Sequence, residues 1–268
     1  MIVRKPAVAN QFYPGDPTRL HYEVGQLMGA SLRDEDAIAV VAPHAGYIYS
    51  GHVAGAVYSR VSIPKYCIIL GPNHTGFGAE ISIMNGGLWQ MPFGDVPIAK
   101  GLADLILGYC PSAEADYEAH IYEHSLEVQV PFLQYRQKAL EIVPICLSRL
   151  SFEECTSLGH AIGKAISQWE SRVLIVTSTD MTHYESQDSA KAKDSMAIER
   201  VEALDPKGLY DTVVVNRITM CGFIPTVVML VAALDLGARR AQLIRYATSG
   251  DITGDYRQVV GYAAFIID

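Results

Sequence analysis

Three apolar runs end in residues able to bind metals or move protons. Val40-Val41-Ala42-Pro43 runs into His44, Cys67-Ile68-Ile69-Leu70-Gly71-Pro72-Asn73 into His74, and Val173 to Ser178 into Asp180 and His183. Imidazole and carboxylate groups are transition-metal ligands and general acids or bases. In open α/β sheets, ligands bind at the carboxyl ends of the strands. A lone histidine after a strand is ordinarily a hydrogen-bonded structural residue. Three strand ends carrying such groups, in a sheet whose strands run parallel, argue for one shared site.

Cys221 joins them through its setting, Thr219-Met220-Cys221-Gly222-Phe223-Ile224-Pro225, just before a long apolar helical pattern. A thiolate at a helix N-terminus is favoured by the backbone dipole and suits a metal ligand or a nucleophile. Burial as a small hydrophobe is the competing reading, and the residues alone leave both open. Cys67, Cys110, Cys146 and Cys155 lie in or beside apolar elements and read as packing.

His120-Ile121-Tyr122-Glu123-His124 matches the H-x-x-E-H pattern of zinc peptidases. Five residues match by chance too readily for that pattern to carry a peptidase. Glu123 and His124 are read instead as acid/base or supporting groups facing the strand-end site. Gly71 to Gly76 lacks either nucleotide-binding fingerprint, Ser249 to Asp255 is an incomplete calcium loop and hence a turn, and no GxSxG elbow occurs.

The elements that must position these residues follow from hydrophobic periodicity. Residues 1–20, with Pro6, Pro14, Gly15 and Pro17, read as an irregular arm. Strands are expected at Ile38–Ala42, Tyr66–Leu70, Glu80–Met84, Ile142–Leu147, Val173–Ser178, Leu243–Ala247 and Val259–Ile267. Helices are expected at Leu20–Leu32, Ser50–Val61, Lys100–Leu107, Glu123–Gln134, Ser151–Ser167, 187–204 and 222–236. Ser151 and Glu154 form a capping box, and Pro131 kinks or ends its helix. Gly86-Gly87, Pro92, Gly94 and Pro97 mark a β-rich excursion. Strands alternating with helices imply a central, mostly parallel sheet flanked by helices, in a single α/β domain over residues 1–268.

The 268 residues are half hydrophobic and carry a formal net charge of −8 with no basic stripe, which speaks against nucleic acid as a partner. No apolar leader follows Met1, and the apolar run from Phe223 to Leu236 is too short to span a bilayer. Five irregularly spaced cysteines fit a reducing, cytoplasmic setting.

Taken together, the motifs resemble the MEMO family, known in microbes as AmmeMemoRadiSam system protein B. The resemblance runs through Gln11-Phe12-Tyr13-Pro14, Ala42 to Tyr47, Gly71-Pro72-Asn73-His74 and Glu123-His124-Ser125-Leu126-Glu127. It continues through Ser178 to Tyr184, Met220-Cys221-Gly222, Thr248 to Asp251 and Val259 to Tyr262. One departure is Ala9-Asn10, where Ala-Gly is expected.

The resemblance implies a fold similar to class III extradiol (LigB-like) dioxygenases. It implies metal-binding roles for His44 and His74, a thiolate from Cys221 near the metal, and Asp180 and His183 lining the same pocket. His183 would take the place of the acid/base histidine. A metal-dependent oxidoreductase is then expected, with one transition-metal ion. Fe(II) suits two histidines and one anion, while a thiolate ligand favours Cu or Zn. Whether Cys221 or Asp180 is the third ligand stays open. The alternative is a non-catalytic adaptor whose metal pocket recognises a small molecule or peptide. The family name also suggests a radical-SAM partner; this chain lacks the CxxxCxxC cluster motif itself.

Overall fold

The computed structural model describes residues 2–30 and 32–268. Its centre is a nine-stranded sheet in the spatial order His183–Glu185, Val259–Ile267, Ala39–Ala42, Val173–Ser178, Tyr66–Pro72, Glu141–Leu147, Ile81–Ile83 and Glu114–Ala115, with Ala241–Thr248 also paired to Val259–Ile267. The four middle strands run parallel, Val40 opposite Val176 and Ile68 opposite Ile175. Antiparallel pairings flank them on both sides, through Val259–Ile267 and Ile81–Ile83. The parallel core is as the alternating pattern predicts, and the antiparallel flanks make the whole sheet mixed.

Those four strands are buried on both faces, which is why they read as continuous apolar runs. Val40, Ala42, Ile69 and Val176 face one way, packing with Leu20 and Val24 of the helix Pro17–Met28 and Val53 and Val57 of the helix Tyr47–Tyr58. Val41, Ile68, Leu70 and Ile175 face the other, against Leu102, Leu158, Ile162, Val227 and Val228 from the helices Lys100–Tyr109, Phe152–Gln168 and Phe223–Asp235. The period-two alternation within each run thus builds two cores, one per face. Among the described residues no helix is long and apolar enough to cross a membrane.

Several expected elements shift. The first helix begins at Pro17, capped by Asp16, and stops at Met28 rather than Leu32; Ser31 within the expected span, like Met1 of the arm, lies outside the described residues. The arm contains a short strand, Val3–Arg4, which joins Leu88–Trp89 and Val96–Pro97 in the expected β-rich excursion. Asn10, the departure from the Ala-Gly pair, has φ 66°, and its side chain accepts from Gly15 N at 2.9 Å. Asparagine is among the few residues that tolerate this left-handed conformation, so the turn survives the substitution.

The expected helix Glu123–Gln134 is a larger correction. Only Glu127–Gln129, a 3₁₀ turn, and the helix Val130–Arg136 are helical, with Pro131 in the first turn. Proline is tolerated there because no partner is required of its missing N–H. Residues 123–126 form a loop, since the Glu123 carboxylate accepts from Ser125 N and His74 N in place of helical bonding. A helix at Pro206–Val215, capped by Asp205, is additional to those expected.

Candidate metal centre

Ala39–Ala42 and Tyr66–Pro72 lie on either side of Val173–Ser178. Their parallel direction brings His44, His74 and the Asp180–His183 segment to one edge of the sheet. His44 and Asp180 are almost fully buried, at 2% and 4% exposure, whereas His74 reaches solvent. One potential ligand atom each from His44, His74 and Cys221 lie within 4.8 Å of one another. The imidazole rings of His44 and His74 are 5.2 Å apart between centroids.

The ring tautomers follow from what surrounds them. Ser178 Oγ donates its one proton to the carbonyl of Ser125 at 2.6 Å, so at 2.9 Å from His44 Nδ1 it must accept. His44 Nδ1 therefore carries a proton, and Nε2 presents a lone pair toward Cys221 Sγ, 3.2 Å away. Gln129 also donates to Ser178 Oγ and to the carbonyl of Pro43, which fixes the hydroxyl. For His74, Glu123 is the orienting group: Oε1 accepts from Nδ1 at 2.9 Å and Oε2 from the backbone N at 2.6 Å. Histidines that ligate metals are typically held in this way, by a hydrogen bond at the other ring nitrogen.

Burial, reinforced by the neighbouring His74, His124 and His183, pushes His44 well below the usual histidine range, so it stays neutral and able to ligate. Burial alone would raise Glu123, but the hydrogen bond and charge of His74, with His124, outweigh it and hold the carboxyl at about 2. For Cys221, burial and the Asp180 carboxylate push the thiol up. A cation among these donors inverts that balance, because it stabilises the thiolate directly. A buried, neutral His44, a His74 held through Nδ1 by Glu123, and one deprotonatable sulfur together fit a borderline transition-metal ion.

Cys221 reaches the site because the next residue is glycine. A Cβ on Gly222 would lie 2.4 Å from Ser178 O and 2.5 Å from Thr179 Cβ. Its N–H donates to Thr179 Oγ1 at 3.0 Å, and Asp180 N donates to Cys221 Sγ at 3.3 Å. The expected helix then begins at Phe223 with Gly222 as its N-cap, so the thiol sits just outside the helix rather than on its first turn.

Asp180 Oδ1 accepts from His44 N at 2.8 Å, and burial pushes its carboxyl up to about 6 against the lowering effect of that bond. His183 is anchored by Thr219, with N donating to Oγ1 at 2.7 Å and Nδ1–H to the backbone O at 2.9 Å, which leaves Nε2 free. Asp194, fully buried, holds the segment from beneath: Oδ1 accepts from Thr182 N at 2.9 Å and Oδ2 from Tyr246 OH at 2.7 Å. His124 stacks on His74 with centroids 4.6 Å apart, and burial lowers it below the usual histidine range. Glu123 and His124 thus join the site as the residues suggested, and with His74 they form a second group with ligand atoms within 4.8 Å.

His120 does not join them. Its Nε2 meets Ser82 Oγ at 3.0 Å, in the core and apart from either donor group, so the H-x-x-E-H pair is never assembled.

These residues open onto a cleft of about 710 Å³ walled by Phe12, Tyr49, Tyr184 and Tyr262 together with His44, His74, His124, Asp180 and His183. Phe12 is delivered by the N-terminal arm. Arg4, fully buried, pairs with Glu127, donates to the carbonyls of His120 and Glu123, and stacks over Trp89. Glu127 also accepts from Ala7 N and Val8 N. Tyr184, at φ 59° and 73% exposed, stands at the rim.

Sequence reasoning did not single out Ser178, Gln129, Thr219 and Asp194 as orienting groups. Ser178 carried a usable signal, being a polar residue at the end of an otherwise apolar buried run. Gln129, Thr219 and Asp194 carried none, because their partners are distant in sequence.

The fold is thus an α/β sheet with a parallel core, bearing at one edge two oriented histidines and a cysteine that could hold a metal ion. The family model described as Memo-like protein matches residues 4–266, and the chain belongs to that family. A MEMO1 family protein of Aquifex aeolicus is 44% identical over 268 residues, covering 99% of each chain. One from Methanosarcina mazei is 41% identical over the whole of both chains, and MEMO1 family protein MK0963 of Methanopyrus kandleri 40% identical over 98% of each. Among solved structures, uncharacterized protein JW3007 from Escherichia coli K12 superposes with a TM-score of 0.54 at 13% identity, covering 84% of this chain and 98% of that one, a likeness of fold.

Proposed function

We propose that His44, His74 and Cys221 hold one transition-metal ion, Fe(II) in preference with Cu or Zn as alternatives. We further propose that the protein is a metal-dependent oxidoreductase resembling the extradiol dioxygenases. The observation that carries this reading is the pair of orienting contacts, Ser178 to His44 and Glu123 to His74, which leave both outer ring nitrogens as lone-pair donors beside one thiol. Bound there, the ion would supply Lewis acidity and redox capacity to a substrate in the cleft.

The chain's own residues supply the rest. His183, free at Nε2 and positioned through Nδ1 by Thr219, takes a proton from a substrate hydroxyl and returns it later. Asp180 braces the His44 backbone, and its charge faces the same cleft. Glu123 keeps His74 oriented, while His124 stacks behind it. Phe12, Tyr49 and Tyr262 offer flat apolar walls suited to an aromatic small molecule and displace water from it.

Elemental analysis and electron paramagnetic resonance of anaerobically purified protein, with and without catechols and O₂, test the reading. About one equivalent of metal is expected, as a single donor set of this kind requires. Unchanged metal content in the His44→Ala, His74→Ala double variant overturns it.

A second reading, a non-catalytic adaptor, draws support from the exposed Tyr184 at the rim of an open cleft. Metal-dependent binding of a small molecule or peptide without turnover would favour it. Partnership with a radical-SAM protein rests on the family resemblance and is tested by co-purification. A reducing, cytoplasmic setting is supported by the five free cysteines.

A further inference from the structure

Cys221 is partly exposed, yet it is not part of the wall of the 710 Å³ cleft. It lines a different hollow of about 450 Å³, whose floor is Leu147, Met220 and Ile224 and whose polar side is Ser148 and Arg149. Arg149 and Ile224 continue into a neighbouring hollow of about 330 Å³ that contains Arg217. The donor set thus lies between two clefts, with His44 and His74 lining one and Cys221 lining the other.

We propose that the hollow at Cys221 is a second binding site, which brings a small anion with an apolar body to the sulfur side of the donor set. Three observations point to that chemistry. Arg149 and Arg217 are exposed and in no ion pair among the described residues. Neither hollow has an acidic residue in its lining, although the chain carries a net charge of −8. An unpaired guanidinium over an apolar floor matches a carboxylate or phosphate attached to a hydrophobic group, since its fork binds such oxygens in pairs. The size suits a compact metabolite rather than a folded partner. The purpose of the site rests on the metal-centre reading, but its existence does not.

Alkylation of Cys221 in the metal-free, reduced protein separates the two questions. The probes are iodoacetate and iodoacetamide, which differ in charge but little in size, and the rate at Cys221 is read by peptide mass spectrometry under mildly alkaline conditions. Ser148→Trp, which fills the hollow, is expected to slow both reagents by an order of magnitude. Arg149→Glu is expected to lower the iodoacetate-to-iodoacetamide rate ratio about five-fold or more, because it reverses the local charge. An unchanged ratio in Arg149→Glu overturns the proposal, as do unchanged rates in a folded Ser148→Trp protein. If Ser148→Trp fails to fold, the surface variant Arg149→Glu decides alone. Zn(II) added before the reagents is expected to protect Cys221. Failure to protect would sink the metal reading and leave the second cleft standing.

Discussion

Cys221 Sγ lies 3.2 Å from His44 Nε2, although 177 residues separate them in the chain. With Nδ1 of His44 committed to Ser178, the ring's one remaining lone pair, on Nε2, faces the thiol and its proton. Removal of that proton leaves sulfur and nitrogen as adjacent donors, an arrangement a cation can bridge.

Cys221→Ser is therefore expected to alter which metal binds more than whether the chain folds. Oxygen is a harder donor than sulfur, so metal competition should move away from Cu and Zn toward harder ions. Metal content after equilibration with a mixture of ions measures this. A collapse of thermal stability with unchanged metal preference would instead assign Cys221 to the core.

Ser178→Ala removes the acceptor that holds His44 in its ligating tautomer. Loss of such an outer contact is expected to weaken metal binding roughly 10–100-fold. Titration against a chromophoric chelator reads the change, with Ser178→Thr restoring most of the affinity where the extra methyl is accommodated.

Gly222→Ala places a methyl against Ser178 O and Thr179, which are backbone and strand-end atoms with little freedom to move. A cost of about 1–3 kcal/mol is expected from overpacking alone. Metal content should fall in parallel, since the same displacement carries Cys221 away from His44. Urea unfolding and elemental analysis of one preparation supply both numbers.

Buried His120 gives stability a pH dependence separate from the donor set. Burial lowers it from 6.5 to about 4, and its Nδ1 has no partner. Above pH 6.5 the ring is neutral whether the chain is folded or not, so its effect is neutral there. As the pH falls from 6.5 toward 4 the unfolded chain takes up a proton that the folded chain refuses, and stability is lost. The full shift corresponds to about 3 kcal/mol. His120→Asn should flatten the urea midpoint across that window, measured as the difference between the two profiles.

Arg4→Met leaves Glu127 buried without its counter-charge, and a loss of about 3–5 kcal/mol is expected. Because Glu127 also holds Ala7 and Val8, hydrogen exchange should rise along the arm up to Phe12, the residue that covers His124. Uniform destabilisation without selective exchange in the arm would show that Arg4 serves the core alone.

The parallel core was legible because strands buried on both faces become unbroken apolar runs, and the polar residues at their ends stood out against them. His44, His74, Asp180 and His183 were found in this way. Boundaries drifted where capping decides them: Asp16 and Pro17 start the first helix earlier than its apolar stripe suggests. Glu123–Gln134 was misread because apolar residues at helical spacing also occur in a loop wrapped on a core. The loop is set by the Glu123 carboxylate, a contact that depends on His74, which lies just past the end of the strand Tyr66–Pro72. The orienting roles of Gln129, Thr219 and Asp194 were hidden for the same reason.

Strand order has a consequence for biosynthesis. Ala39–Ala42 and Tyr66–Pro72 leave the ribosome early, but Val173–Ser178 is inserted between them. The distance between the two histidines is thus set by a segment translated about a hundred residues later, and the sulfur arrives later still. A nascent chain holding both histidines has neither that spacing strand nor the sulfur, so the proposed donor set exists only once Val173–Ser178 and Cys221 have emerged.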